Sequence, residues 1–288
     1  MHPTRSRSMR TPRIFPWAMF LCLAFYLAAC VFLFLLQRRI IYQPPVLTPA
    51  QEDQMAAAGR LDIWTNAAGD CIGVKRLSPR QPALGSVLVL HGNADDAAGA
   101  GYYADSIQMI AAFNVFIVEY PGYGDRPGTP TEASLFQAAD GAFQLLDTNR
   151  PIYLVGESLG TGVAAYLAGA HLHQVAGVVL LSPFDRLADV AQYHYPIFPA
   201  RWLLLDRFPS ENYLRQYRGP VGMVVDGHDD VVPEESSFRL YNACAGPKRL
   251  WKFAQGGHIQ IMEPSAEFWR QVVGFWQTNG KRRMKDSL

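Results

Sequence analysis

The chain has 288 residues, 49% of them hydrophobic and 18% charged, with a formal net charge of +1 at pH 7. That composition is enough to bury a large core, and a charge so near zero argues against a nucleic-acid partner. No Cys or His cluster has zinc-binding spacing, and no H-E-x-x-H pattern, Walker A loop or dinucleotide fingerprint occurs, so the chain reads as cofactor-free and metal-free.

Residues 1–16 form a basic N-terminal tail with Arg5, Arg7, Arg10 and Arg13. Trp17 to Leu36 follow without a formal charge, and those twenty residues span about 30 Å as a helix, the thickness of a bilayer's hydrocarbon core. Leu27-Ala28-Ala29-Cys30 is similar to a bacterial lipoprotein cleavage box, but Val31 to Leu36 extend the apolar run beyond the cysteine. An uncleaved transmembrane anchor at 17–36 is therefore expected. Four arginines precede the span, whereas Arg38 and Arg39 alone follow it closely, which favours a cytoplasmic N-terminus. The expected location is single-pass in the cell inner membrane, with the rest of the chain periplasmic in a Gram-negative bacterium. Residues 37–59 read as a linker.

Residues 60–279 read as one α/β domain. Leu61 to Thr65 and Cys71 to Arg76 suggest a leading hairpin. Buried strands are expected at Ser86 to Leu90, Val115 to Val118, Ile152 to Val155, Val175 to Leu181, Val221 to Val225 and Leu250 to Phe253. Helices are expected at Tyr102 to Ala112, Thr131 to Thr148, Ser158 to Ala170, Glu234 to Ala243 and Pro264 to Thr278. The alternation implies a mostly parallel central sheet with helices on both faces. Residues 182–218 join two core strands through an aromatic-rich insert, read equally as a short lid over the site or as a helix packing aromatics on the core. A basic C-terminal tail, 280–288, is read as solvated. Cys71 and Cys244 are the cysteines outside the span, and whether they pair is left open.

Gly156-Glu157-Ser158-Leu159-Gly160 sits between an apolar strand and an alanine-rich helix, the context of a nucleophile elbow. Ser158 is the candidate nucleophile. A serine hydroxyl needs a histidine to take its proton and an acid to orient that histidine. His258, in the glycine-flanked loop after Phe253, is the candidate base. Asp226, Asp229 and Asp230 follow the strand Val221 to Val225. Asp226 reads as a turn residue, Asp229 as the candidate acid and Asp230 as the alternative. The turn His91-Gly92-Asn93 nominates the backbone N–H groups of Asn93 and Leu159 as oxyanion donors, so side-chain substitution at either is expected to be quiet. His91 and His194 read as structural, His171 and His173 as solvated, and His228 as a loop residue.

These motifs, in this order, resemble the alpha/beta-hydrolase superfamily from about Arg60 to Gln277. More narrowly, four passages resemble its membrane-anchored serine hydrolases: Gln37 to Pro44 after the span, His91 to Ala94, Glu119 to Gly124 leading to Gly128 to Glu132, and Gly156 to Gly160. Two positions depart from that group, Pro121 where relatives commonly carry arginine and Arg126 where they carry serine. The Asp229 assignment draws on its distance to Pro233, which matches the group's pattern. The resemblance implies an alpha/beta-hydrolase fold and lysophospholipase, monoacylglycerol lipase or depalmitoylase chemistry. The implied substrate is a small lipid-like or acyl-ester molecule at the membrane, cleaved at an ester or thioester. Two rival readings are a serine peptidase on the same fold, which usually carries a larger recognition domain, and a membrane scaffold without chemistry.

Overall fold

The computed structural model describes residues 14–253, 258 and 265–286. Arg5, Arg7, Arg10 and Arg13, the loop residues Ala254 to Gly257 and Pro264 lie outside them. The first described element is helix α1 (Ile14–Ile41), of which Trp17–Ile41 is long and apolar enough to cross a membrane. Most of its apolar side chains are exposed, while Gln37 is buried where the helix meets the rest of the fold.

The segment read as a linker holds a second helix, α2 (Pro49–Ala58). Thr48 and Gln51 cap it reciprocally, and Pro49 fills a first-turn position where its missing N–H costs nothing. The hairpin follows as β1 (Asp62–Thr65) and β2 (Cys71–Arg76). The remaining strands are β3 (Gly85–Leu90), β4 (Phe113–Val118), β5 (Ile152–Glu157), β6 (Val175–Leu181), β7 (Val221–Asp226) and β8 (Lys248–Phe253). Together they form one eight-stranded sheet in the order β1-β2-β4-β3-β5-β6-β7-β8. β1 and β2 are antiparallel, as are β2 and β4; every other neighbouring pair is parallel.

The Val, Ile and Leu runs alternate between two buried layers, as the two-residue period of a strand dictates. Leu88, Leu90, Ile152 and Leu154 join one layer with Phe136, Val163 and Leu167, from helices α4 (Glu132–Gln144) and α5 (Leu159–Ala170). Val87, Val89, Tyr153 and Val155 join the other with Tyr103, Ile107, Trp269 and Trp276. Those last residues come from α3 (Tyr102–Ile110) and the C-terminal helix, which runs Ala266–Asp286 through the segment read as a tail.

The 182–218 insert carries α6 (Leu187–His194), α7 (Ala200–Leu203) and α8 (Ser210–Leu214). Phe184, Phe208 and Tyr217 are buried against the core, while Tyr193, Ile197, Trp202 and Leu205 are exposed. Arg38 near the end of α1 pairs with Asp206 of the insert at 2.9 Å, and Tyr26 donates to the Ile197 carbonyl at 2.9 Å. Helix α9 (Glu234–Ala243) follows β7, and α10 is the C-terminal helix already described.

Candidate active site

Strand order determines where the functional residues meet. β3 leads to β4 on one side of itself and has β5 on the other, so the chain reverses its direction of winding between β3 and β5. A crevice forms outside the carboxyl ends of parallel strands at such a point. β3, β5, β6, β7 and β8 are neighbours and all parallel. Their C-terminal ends deliver, in turn, His91 to Asn93, Ser158, Ser182, Asp229 and His258 to one edge.

Ser158 adopts φ 47° and ψ −114°, a backbone conformation that L-residues rarely hold. Two glycines permit it. A Cβ on Gly156 would stand 2.8 Å from the Gly160 carbonyl oxygen and 2.9 Å from Ala164 Cβ. A Cβ on Gly160 would collide with the Leu90 carbonyl, because α5 packs directly on the end of β3. The Ser158 N–H donates to the Leu181 carbonyl at 2.9 Å, which ties the turn to β6.

Ser158 Oγ lies 3.0 Å from His258 Nε2. The opposite ring nitrogen, Nδ1, lies 2.9 Å from both carboxylate oxygens of Asp229. The Asp229 and His258 side chains are 3% and 11% exposed, so water competes little for these bonds. Burial pushes the Asp229 carboxyl up, but hydrogen bonds from His258, Ser182 and the Val232 N–H outweigh it and hold the group below the ordinary carboxylate range. An ionised Asp229 accepts, so Nδ1 carries the hydrogen and the Nε2 lone pair faces Ser158. Asp229 Oδ1 also accepts from the N–H groups of Val231 and Val232 at 2.9 and 2.8 Å. Asp230 is exposed, and Asp226 accepts from the His228 N–H, as a turn residue does.

Ser182 was not singled out by sequence, yet it is central here. Its hydroxyl donates to Asp229 Oδ2 and lies 3.1 Å from His258 Nδ1. The residue sits at φ 54° immediately after β6, a position that depends on pairing between strands far apart in sequence. Nothing local to Ser182 announces it.

The His91-Gly92-Asn93 turn adjoins the nucleophile, since a Cβ on Gly92 would stand 3.6 Å from Ser158 Cβ. The N–H groups of Asn93 and Leu159 meet no protein acceptor among the described residues. Leu159 begins α5, where a helix's first N–H groups have no internal partner. Beneath the turn, His91 is fully buried, with Nδ1 2.8 Å from the Gly92 carbonyl and Nε2 3.2 Å from Glu119 Oε1. Burial lowers its pKa, but the Glu119 carboxylate and the Gly92 carbonyl raise it by more, and the net direction is upward. His91 is thus the structural prop expected from sequence.

Glu157 is buried and accepts from Tyr102 and Tyr103 hydroxyls at 2.7 and 2.6 Å. Burial, then the adjacent carboxylate, push both phenols well above their ordinary range, so they remain donors. The other histidines lie away from the serine: His171 pairs with Asp140 at 2.7 Å, and His194 bonds the Val231 carbonyl at 2.8 Å. All four cysteines are free, Cys71 and Cys244 included.

A family model described as alpha/beta hydrolase fold matches residues 85–208. The uncharacterized protein Rv2307c of Mycobacterium tuberculosis is 35% identical over 235 residues, which covers 79% of this chain and 82% of that protein. The lysophosphatidylserine lipase ABHD12 of Mus musculus is 28% identical over 214 residues, 66% of this chain and 52% of the lipase, so the chain spans about half its length. Est1E from Butyrivibrio proteoclasticus, a structure with ferulic acid bound, superimposes with a TM-score of 0.60 at 16% identity over 74% of this chain and 98% of that one. The monoacylglycerol lipase of Paleococcus ferrophilus gives 0.54 at 20% identity, over 71% and 97%. The two solved structures share the fold alone, whereas the mycobacterial relative is similar along most of both chains. With the elbow, the winding reversal and these likenesses together, the chain belongs to the alpha/beta-hydrolase family.

Proposed function

We propose that this protein is a membrane-anchored serine hydrolase that cleaves ester or thioester bonds of hydrophobic acyl substrates through an acyl-enzyme. The observation that carries this reading is the unbroken line from Ser158 Oγ to His258, 3.0 Å, and from His258 to Asp229, 2.9 Å, at a strained strand end. Ser158 Oγ attacks the carbonyl carbon while its proton passes to His258 Nε2. The carbonyl electron pair moves onto oxygen, and the N–H groups of Asn93 and Leu159 donate to that oxyanion. Asp229 holds the imidazolium. Collapse expels the alcohol or thiol, which takes the proton from Nε2 and leaves an acyl ester on Ser158. Water, deprotonated by His258, attacks that ester; the acid departs and Ser158 recovers its proton.

A lipid-like substrate is supported by α1 and by the likeness to a lysophosphatidylserine lipase. For orientation, the positive-inside bias favours the N-terminus in the cytoplasm and the hydrolase domain in the periplasm.

Fluorophosphonate labelling in native membranes tests the reading. The wild type is expected to label and Ser158→Ala is not. A folded wild type that resists the probe would refute it.

A further inference from the structure

An apolar cleft runs between α1 and the 182–218 insert, walled by Leu33, Phe34 and Ile40 on the helix and by Tyr195, Phe198 and Leu203 on the insert. Gln37 also lines it, but its amide is already satisfied. Nε2 donates to the Phe34 carbonyl at 2.7 Å, and Oε1 accepts from the Leu205 N–H at 2.7 Å. A ligand in this cleft therefore finds contact surface and little to hydrogen-bond, which suits a hydrocarbon chain.

Two continuities identify its source and destination. All the α1 residues that line the cleft, from Leu33 to Ile41, fall within Trp17–Ile41, the stretch apolar enough to lie in a bilayer, and Leu33 and Phe34 lie deepest in it. The insert beside it exposes Ile197 at 73% and Trp202 at 80%, side chains that an aqueous surface would not favour and a membrane interface would. At the other end lies Ile41, whose carbonyl accepts from the Asn93 side chain at 2.6 Å. Asn93 belongs to the turn that adjoins Ser158. From Leu33 to Ile41 the helix rises about 12 Å, a distance a long acyl chain covers.

We infer that this cleft is a lateral acyl-chain site: the long chain of a membrane-lipid ester lies between α1 and the insert and leads its carbonyl from the bilayer to Ser158. The occupant is the hydrocarbon chain, not the head group, and selection by chain length follows from the depth of the cleft. The inference rests on the esterase reading above.

The test uses the full-length protein in phospholipid nanodiscs and an alkyl fluorophosphonate bearing a long chain with a terminal diazirine. Attachment occurs at Ser158, and light then cross-links the chain end to whatever surrounds it. Cross-links mapped to residues 33–41 and 191–204 are the expected result. Cross-links confined to other surfaces would overturn the cleft while leaving the serine hydrolase intact. Failure to attach at Ser158 at all would remove the esterase reading itself. In parallel, Ala200→Trp narrows the cleft, with correct folding verified by labelling with a short fluorophosphonate. The ratio of kcat/KM for p-nitrophenyl palmitate over p-nitrophenyl butyrate is expected to fall by about tenfold or more. An unchanged ratio overturns the proposal.

Discussion

The Asn93 carboxamide donates at 2.6 Å to the backbone carbonyl of Ile41, the last residue of α1. Its oxygen accepts from the Gln43 N–H at 3.0 Å and the Tyr123 hydroxyl at 2.7 Å. One side chain thus fastens the exit of α1 and the loop after β4 to the turn bearing a proposed oxyanion donor. Substitution of the Asn93 side chain is expected from sequence to be quiet; these three bonds argue for a measurable effect.

Asn93→Ala is accordingly expected to lower kcat on a soluble short-chain ester by about tenfold, less than the roughly 100- to 1000-fold typical of losing an oxyanion donor outright. The N–H survives, but its position is no longer fixed from three sides. Steady-state kinetics check this: KM on the soluble ester stays near the wild-type value, and an unchanged kcat would sever the link between anchor and site.

The acid assignment separates sharply. Asp229→Asn is expected to reduce kcat by on the order of 10⁴-fold, by analogy with that substitution in a serine protease, because the imidazole loses its correct tautomer. Asp230→Asn, exposed and apart from His258, should behave as wild type. Ser182→Ala removes one donor to Asp229 and should cost about tenfold in kcat, since the carboxylate keeps His258 and two main-chain donors. Comparable small losses in all three variants would dissolve the triad.

Asp229 also has a pH signature. Its folded pKa lies below the ordinary value, so its contribution to stability is present above the unfolded value of about 3.9 and disappears as pH falls through the lower folded pKa. Thermal unfolding of Asp229→Asn in detergent should therefore show a shallower loss of stability at acid pH than the wild type shows.

Strain at the elbow predicts opposite effects on folding and activity. Ser158→Gly relieves the positive φ, whereas Ser158→Ala keeps it. Both variants should lose fluorophosphonate labelling, but the glycine variant should be more stable than the alanine variant by about 1 kcal/mol, the lower end of the cost of such backbone conformations. Equal melting temperatures would mean that the turn is not strained.

Glu52 offers a separate check on the strap formed by α2. Burial first, then a shared hydrogen bond with Asp125, push its carboxyl up to about 7. The folded state then binds more protons than the unfolded state between the ordinary glutamate value and about 7. Stability falls as pH rises through that window and levels off above it. Glu52→Gln should flatten the slope and stabilise the protein at pH 8 by roughly 2 kcal/mol, measured by thermal unfolding at pH 5 and pH 8. A wild-type profile flat across this range would contradict it.

The parts of this fold that announce themselves in sequence are those built from local pattern. Val175 to Leu181 and Glu234 to Ala243 appear at the expected boundaries. Cys71 to Arg76 also matches, β1 begins one residue later than expected, and the other strands run one or two residues longer, β5 and β7 because Glu157 and Asp226 still pair in the ladder. Helix α2 lies in the segment read as a linker, although Thr48-Pro49-Ala50-Gln51 carries a capping box with proline in its first turn. Its weak apolar pattern hid it, since a helix that buries Glu52 and Ala56 alone lacks the usual stripe. Ser182, Glu119 and the burial of Glu157 depend on strand register. Only after β7 is set beside β6 does Ser182 reach Asp229.

β8, which precedes His258, pairs with β7 alone and has no fully buried residue in Lys248–Phe253. β5, which presents Ser158, lies between two partners and is buried throughout. The proposed proton acceptor and nucleophile therefore rest on parts of the sheet with unequal resistance to opening. Under mild denaturant the edge opens first, carrying His258 away while the elbow still stands, so turnover disappears at lower urea than the central sheet does.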